Sequence, residues 1–99
     1  MSDVQRLVPL DTWMFENRDL LLMWRGAWYR AGSHSVSGPD NVPRWIKRHE
    51  KRLTEAGAVM RKGNAWRLVE PGCTEALRGI LAEECDRAAR AGTRKRRQP

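Results

Sequence analysis

Apolar side chains recur along this chain in two rhythms, one helical and one of strict alternation. In LDTWMFENRDLLLMWRGAWYRAG, residues 10–32, Trp13, Leu20, Trp24 and Ala27/Trp28 return at helical spacing. Asp11 or Thr12 is suited to cap that helix at its start. Gly26 weakens it, Gly32 ends it, and Asn17 marks a point where it can divide in two. Residues 1–9 read as a lead-in, with Pro9 preventing an earlier helix. GSHSVSGPDN, residues 32–41, has no periodicity and reads as a loop.

A second helix is predicted from about Asn41 to Ala56. Asp40 or Asn41 can cap it, Pro43 is tolerated in the first turn, and Gly57 suits the position just past its end. At 100° per residue, Val42, Ile46, His49, Leu53 and Ala56 fall on one stripe, with Trp45 at its edge. Arg44, Lys47, Arg48, Lys51 and Arg52 fall on the opposite side. The apolar stripe must pack on the first helix and the segment that follows, so the basic side chains are driven outward as a ridge. Like charges at i,i+4 cost a few tenths of a kcal/mol per pair, a cost that an anionic partner relieves.

The rhythm then changes. In AVMRKGNAWRLV, residues 58–69, Gly63-Asn64 supports a tight turn between two strands. Trp66 and Leu68 share one face of the second strand, and Arg67 and Val69 the other. The tip carries Arg61 and Lys62. After Pro71-Gly72, a last helix capped by Thr74 sets Leu77, Ile80, Leu81, Cys85 and Ala88 on one side. Glu83, Glu84 and Asp86 alternate with Arg78, Arg87 and Arg90, as on a solvated face. That helix is expected to end near Gly92, leaving TRKRRQP as a flexible basic tail. The domain boundaries that follow are 1–9 for the lead-in, 10–91 for the folded domain and 92–99 for the tail.

Composition sharpens this picture. Ninety-nine residues make one small domain, 40% hydrophobic, with five tryptophans to enlarge a modest core. The net charge is +7, unevenly spread. Residues 1–40 carry four basic and five acidic side chains, residues 41–70 eight and three, and residues 71–99 seven and four. The positive field therefore belongs to the middle and the C-terminus, and it points to an anionic partner.

Catalytic and metal chemistry find no support in the pattern. Cys73 and Cys85 form no CxxC pair and fit no zinc spacing with His34 and His49, so reduced thiols and no cofactor are expected. On a helix they stand roughly 18 Å apart, beyond disulfide reach. The Gly/Ser loop lacks the GxxxxGK[ST] phosphate cradle. No nucleophile–base pair is evident, and the expectation is not an enzyme. The chain has no 18-residue apolar run and no charged-then-apolar start, so no membrane span or leader is expected.

Three stretches carry a resemblance: VPLDTW, then NVPRWIKRHEKRLTEAGAV, then RKGNAWRLVEPGCTEAL. Together they resemble the excisionase-like winged helix-turn-helix family, whose fold is shared by phage excisionases and the DNA-binding domains of MerR-type regulators. A longer stretch, holding Trp24, Trp28 and the Ser/Gly loop, separates the first helix from the second than in compact excisionases. LTEAGAVMRKGNAWRL equally resembles the recognition-helix-to-wing segment of ordinary winged-helix regulators. The fold class expected is mainly α with a small β-hairpin, a winged helix-turn-helix.

The resemblance implies a phage or mobile-element protein, cytoplasmic in its bacterial host, that binds double-stranded DNA in recombination or transcription regulation. Arg44, Lys47, Arg48 and Lys51 are expected to face the major groove, with Arg52 on the flanking backbone. Arg61 and Lys62 are expected at the backbone or minor groove, and Arg94, Lys95, Arg96 and Arg97 on phosphates. A homodimer or cooperative multimer on DNA fits the same scheme. The alternative is a protein-interaction module, an inhibitor or adaptor that meets its partner through the basic helix and a tryptophan-rich surface.

Overall fold

The computed structural model describes residues 5–33, 37–63 and 65–97, the last six through their backbone alone. The fold is mainly helical with a small three-stranded antiparallel sheet. Strand β1 (Arg6–Pro9) leads into helices α1 (Leu10–Glu16) and α2 (Arg18–Arg30). Helices α3 (Val42–Arg48) and α4 (Glu50–Glu55) follow, then strands β2 (Val59–Lys62) and β3 (Ala65–Glu70), and finally helix α5 (Gly72–Arg97).

The expected lead-in thus holds a strand. β1 pairs with β3, Val8 opposite Leu68, and β2 pairs with β3 from the other side, Val59 opposite Leu68. Val8, Leu68 and Val59 line up on one face of the sheet and are all buried. This row is the floor on which the helices sit. Lys62 pairs with Ala65, which leaves a two-residue connection of the kind expected, and Gly63 takes φ +64°, a left-handed value that suits glycine. Asn64, the other half of that turn, lies outside the described residues.

Both long helical stretches divide in two. The first breaks at Asn17, whose side chain donates to the Trp13 carbonyl at 2.9 Å. Pro9, not Asp11 or Thr12, occupies its N-cap position, because the chain passes straight from β1 into α1. The second stretch, expected as one helix, breaks at His49 (φ −108°, ψ 20°), although Leu53 N–H still donates to the His49 carbonyl at 2.9 Å. Asn41 caps α3, its Oδ1 accepting from Arg44 N–H at 3.3 Å. Ala56, assigned to the apolar stripe, is exposed, since α4 has ended at Glu55.

The core is built around tryptophan. Trp13, Trp28 and Trp45 are essentially inaccessible, and Trp24 nearly so. Trp45 of α3 meets Trp24 and Trp28 of α2 edge-on, with ring centroids 6.0 and 6.2 Å apart. The Gly/Ser loop packs on the same cluster. A Cβ at Gly38 would stand 2.7 Å from the Trp28 ring, so only glycine lets the loop lie there. Ile46, Leu53, Leu77 and Ile80 complete the buried set, each such side chain contributing about 1.5–3 kcal/mol.

Helix α5 starts at Gly72, two residues before the expected cap at Thr74. The Glu70 carboxylate accepts from Thr74 N–H at 2.9 Å and from its hydroxyl, and Trp13 Nε1 donates to the Thr74 hydroxyl oxygen at 3.3 Å. A carboxylate suits a helix N-terminus, where the free N–H groups point. Contrary to the expected stop near Gly92, the helix runs on to Arg97. One internal glycine costs about 1 kcal/mol, and Arg and Lys are good helix formers. No helix of the described residues is long and apolar enough to cross a membrane.

Candidate nucleic-acid interface

The five basic residues of the α3–α4 stretch are all exposed, opposite the buried Val42, Trp45, Ile46 and Leu53. The break at His49 leaves Arg44, Lys47 and Arg48 on α3, and Lys51 and Arg52 on α4. These five divide into two groups by what they touch.

Arg48 and Arg52 turn toward α5. Arg48 Nη1 stands 3.2 Å from Glu84 Oε2 and also donates to the Ser37 carbonyl at 3.5 Å. Arg52 engages Glu83 through two nitrogens, one contact being 3.0 Å. The hydrogen bond from Arg52 holds the Glu83 carboxyl below its usual range, and the guanidinium is raised in return. Arg44, Lys47 and Lys51 have no carboxylate within ion-pair distance among the described residues. They form the outward-facing part of the ridge.

Glu84 was expected on a solvated face and is instead buried, with 9% of its surface accessible. Trp45 Nε1 donates to its Oε1 at 2.9 Å. His49 Nε2 lies 3.4 Å from the same oxygen without making a hydrogen bond, which leaves that nitrogen unsatisfied. A buried carboxylate is costly unless paired and hydrogen-bonded, and here the indole and Arg48 meet that need. The sequence did hold a signal: position 84 lies seven residues after Leu77 and four after Ile80, on the apolar stripe itself. Glu83, one residue earlier, lies at its edge.

The hairpin stands beside α4. Arg61 Nη1 is 4.0 Å from Glu50 Oε2, and its guanidinium lies 5.5 Å from the centre of the half-buried Trp66 ring. The Cα partners Arg61 and Trp66 share the helix-facing side of the sheet, while Lys62 points to the other side. Lys62 is exposed, and Arg67, half-buried, donates to the Trp66 carbonyl at 3.3 Å. The side chains of Arg94, Lys95, Arg96 and Arg97 lie outside the described residues, as does His34.

Both thiols are free. Burial pushes Cys73 up to about 12 and raises Cys85 as well. Among the described residues, no group of three His, Cys, Asp or Glu side chains gathers to hold a metal ion. The arrangement therefore offers a cationic surface and a buried scaffold behind it. No protein-family model, curated protein or solved structure matches the chain.

Proposed function

We propose that the protein binds double-stranded DNA as a small winged helix-turn-helix protein, with the α3–α4 stretch against the duplex and the β2–β3 hairpin as its wing. The observation that carries this reading is the outward group of Arg44, Lys47 and Lys51, exposed and without an ion-pair partner among the described residues, beside a hairpin whose tip bears Lys62. The order of elements supports it: helices followed at once by a hairpin, with β1 closing the sheet against β3. The net charge of +7 supplies attraction to phosphate at long range.

Arg44, Lys47 and Lys51 then make the principal contacts, with phosphates or with guanine edges in the major groove. Arg48 serves mainly to fix α3 on α5. Arg52, more exposed, reaches the flanking backbone by exchanging Glu83 for a phosphate. Arg61, Lys62 and the Arg94–Arg97 run add backbone contacts. The role is architectural or regulatory, in recombination or transcription, within the cytoplasm of a phage-infected or element-bearing bacterium.

The test is fluorescence anisotropy of a labelled duplex of random sequence over a salt series. The protein should bind, and its affinity should fall steeply as salt rises. Replacing Arg44, Lys47 and Lys51 together with Ala should flatten the log–log salt slope by up to about 2.7 units. An unchanged slope in a folded variant would refute the reading.

A further inference from the structure

A second face of the molecule has a different character. Phe15, Leu22 and Tyr29 lie seven residues apart along α1 and α2, opposite the buried Trp24 and Trp28, and are 67%, 62% and 50% exposed. Met23 beside them is 68% exposed. Among the described residues, four of the six large exposed apolar side chains are thus gathered on one helical stretch, the kind of patch that marks an interaction site.

Next to the stripe runs a groove of about 560 Å³, floored by Met14, Leu21, Leu22 and Pro39. Arg18 lines it and also lies over the Phe15 ring, 4.5 Å from the centroid, so Phe15 stands at the groove's rim. The opposite rim is closed by the Arg25–Asp40 ion pair (2.8 Å), with Tyr29 donating to Asp40. Arg18 and Asp19 are exposed neighbours at the groove, and neither has an ion-pair partner among the described residues. One face thus presents a projecting ring, a recess to receive one, and a charge of each sign without an ion-pair partner among the described residues, although Arg18 also donates to the Phe15 carbonyl at 2.9 Å.

We propose that two copies of the chain meet on this face. Phe15 of each copy enters the Met14–Leu21–Leu22 groove of the other, and Arg18 and Asp19 pair reciprocally across the two-fold axis. The charge distribution selects a second copy as the occupant. A protein of net charge +7 repels itself over most of its surface, but residues 1–40 carry net −1. The groove's own charges balance, Arg18 and Arg25 against Asp19 and Asp40, so two copies approach there at a small like-charge cost. Self-complementarity is what an isologous contact requires, because each surface must fit itself. The pairing leaves the α3–α4 ridge of both copies open and does not depend on what that ridge binds.

Sedimentation equilibrium of the full chain without DNA tests the proposal, from about 1 µM to about 1 mM, the span of moderate to weak affinities. The mass should rise from that of one chain, 11.4 kDa, toward twice that value. Phe15→Glu, and independently Leu22→Glu, should shift the midpoint upward at least about tenfold. Each should keep the wild-type circular dichroism spectrum, since both side chains are exposed. Met60→Glu, at an exposed apolar position on the sheet, should leave the midpoint unchanged. Arg18→Glu or Asp19→Arg alone should weaken pairing, and the two together should restore it. A monomer at every concentration overturns the proposal. So does a dimer indifferent to Phe15→Glu and Leu22→Glu, one that Met60→Glu also abolishes, or a charge exchange that fails to restore pairing.

Discussion

The outward faces of α1–α2 and of α3–α4 are built by the same means and end with opposite characters. Each is a helix pair broken at one residue, Asn17 or His49, with Trp24 and Trp28 of the first turned inward against Trp45 of the second. Yet one shows Phe15, Leu22, Met23 and Tyr29 with few net charges, and the other shows Arg44, Lys47 and Lys51. The inward stripes are interchangeable in kind, because a core asks only for volume and apolarity. The outward stripes are under no such demand. What they carry is therefore the more informative part of the chain about partners.

Trp45 joins the two faces, and its removal should be among the most damaging changes. Trp45→Ala should destabilise the protein by about 3–5 kcal/mol, read by urea unfolding, because it empties the contact with Trp24 and Trp28 and removes one of the partners of Glu84. The two proposed contacts, with DNA and with a second copy, should weaken together. A loss confined to one of them would show that the two helix pairs are held independently.

Glu84 and Glu83 sharpen the contrast within the basic face. Glu84→Ala leaves the buried Trp45 N–H without its acceptor and should cost about 1–3 kcal/mol. Glu83→Ala breaks only a surface pair and should lower stability less than Glu84→Ala, while freeing Arg52 and strengthening attraction to duplex DNA at low salt. Equal costs would mean that α5 holds the ridge mainly through surface charge.

A smaller effect should appear with pH. Arg52 keeps the folded-state pKa of Glu83 below its unfolded value, so the pair stabilises the fold above the unfolded value and loses that contribution as acid reaches the folded one. Melting temperatures measured on descending pH should therefore fall less steeply for Glu83→Gln than for wild type. The smallest test concerns the thiols. At neutral pH, iodoacetamide should modify Cys85 faster than Cys73, because the Cys73 thiol is fully buried and pushed up to about 12. A faster Cys73 would mean that the N-terminal turn of α5 opens.

The helical and strand periods of the sequence carried most of the architecture. The tryptophan core, the Asn41 cap, the β2–β3 hairpin and the outward ridge each follow from local spacing. Three features did not. β1 is four residues long and pairs with β3, about sixty residues later, which no local pattern encodes. The break at His49 falls at a residue that is no helix breaker, so spacing and composition did not mark it. Charge alternation along α5 hid Glu84 itself, because a polar residue on an apolar stripe reads as surface until its partners are known.

A salt titration of binding to a random-sequence duplex decides whether the ridge of Arg44, Lys47 and Lys51 meets DNA as proposed. Wild type should show a steep linear fall of log affinity with log salt. The triple Ala variant should show a slope shallower by up to about 2.7 units, with the same circular dichroism spectrum and melting temperature. Coincident slopes for the two proteins, or no binding by wild type at low salt, would contradict that proposal.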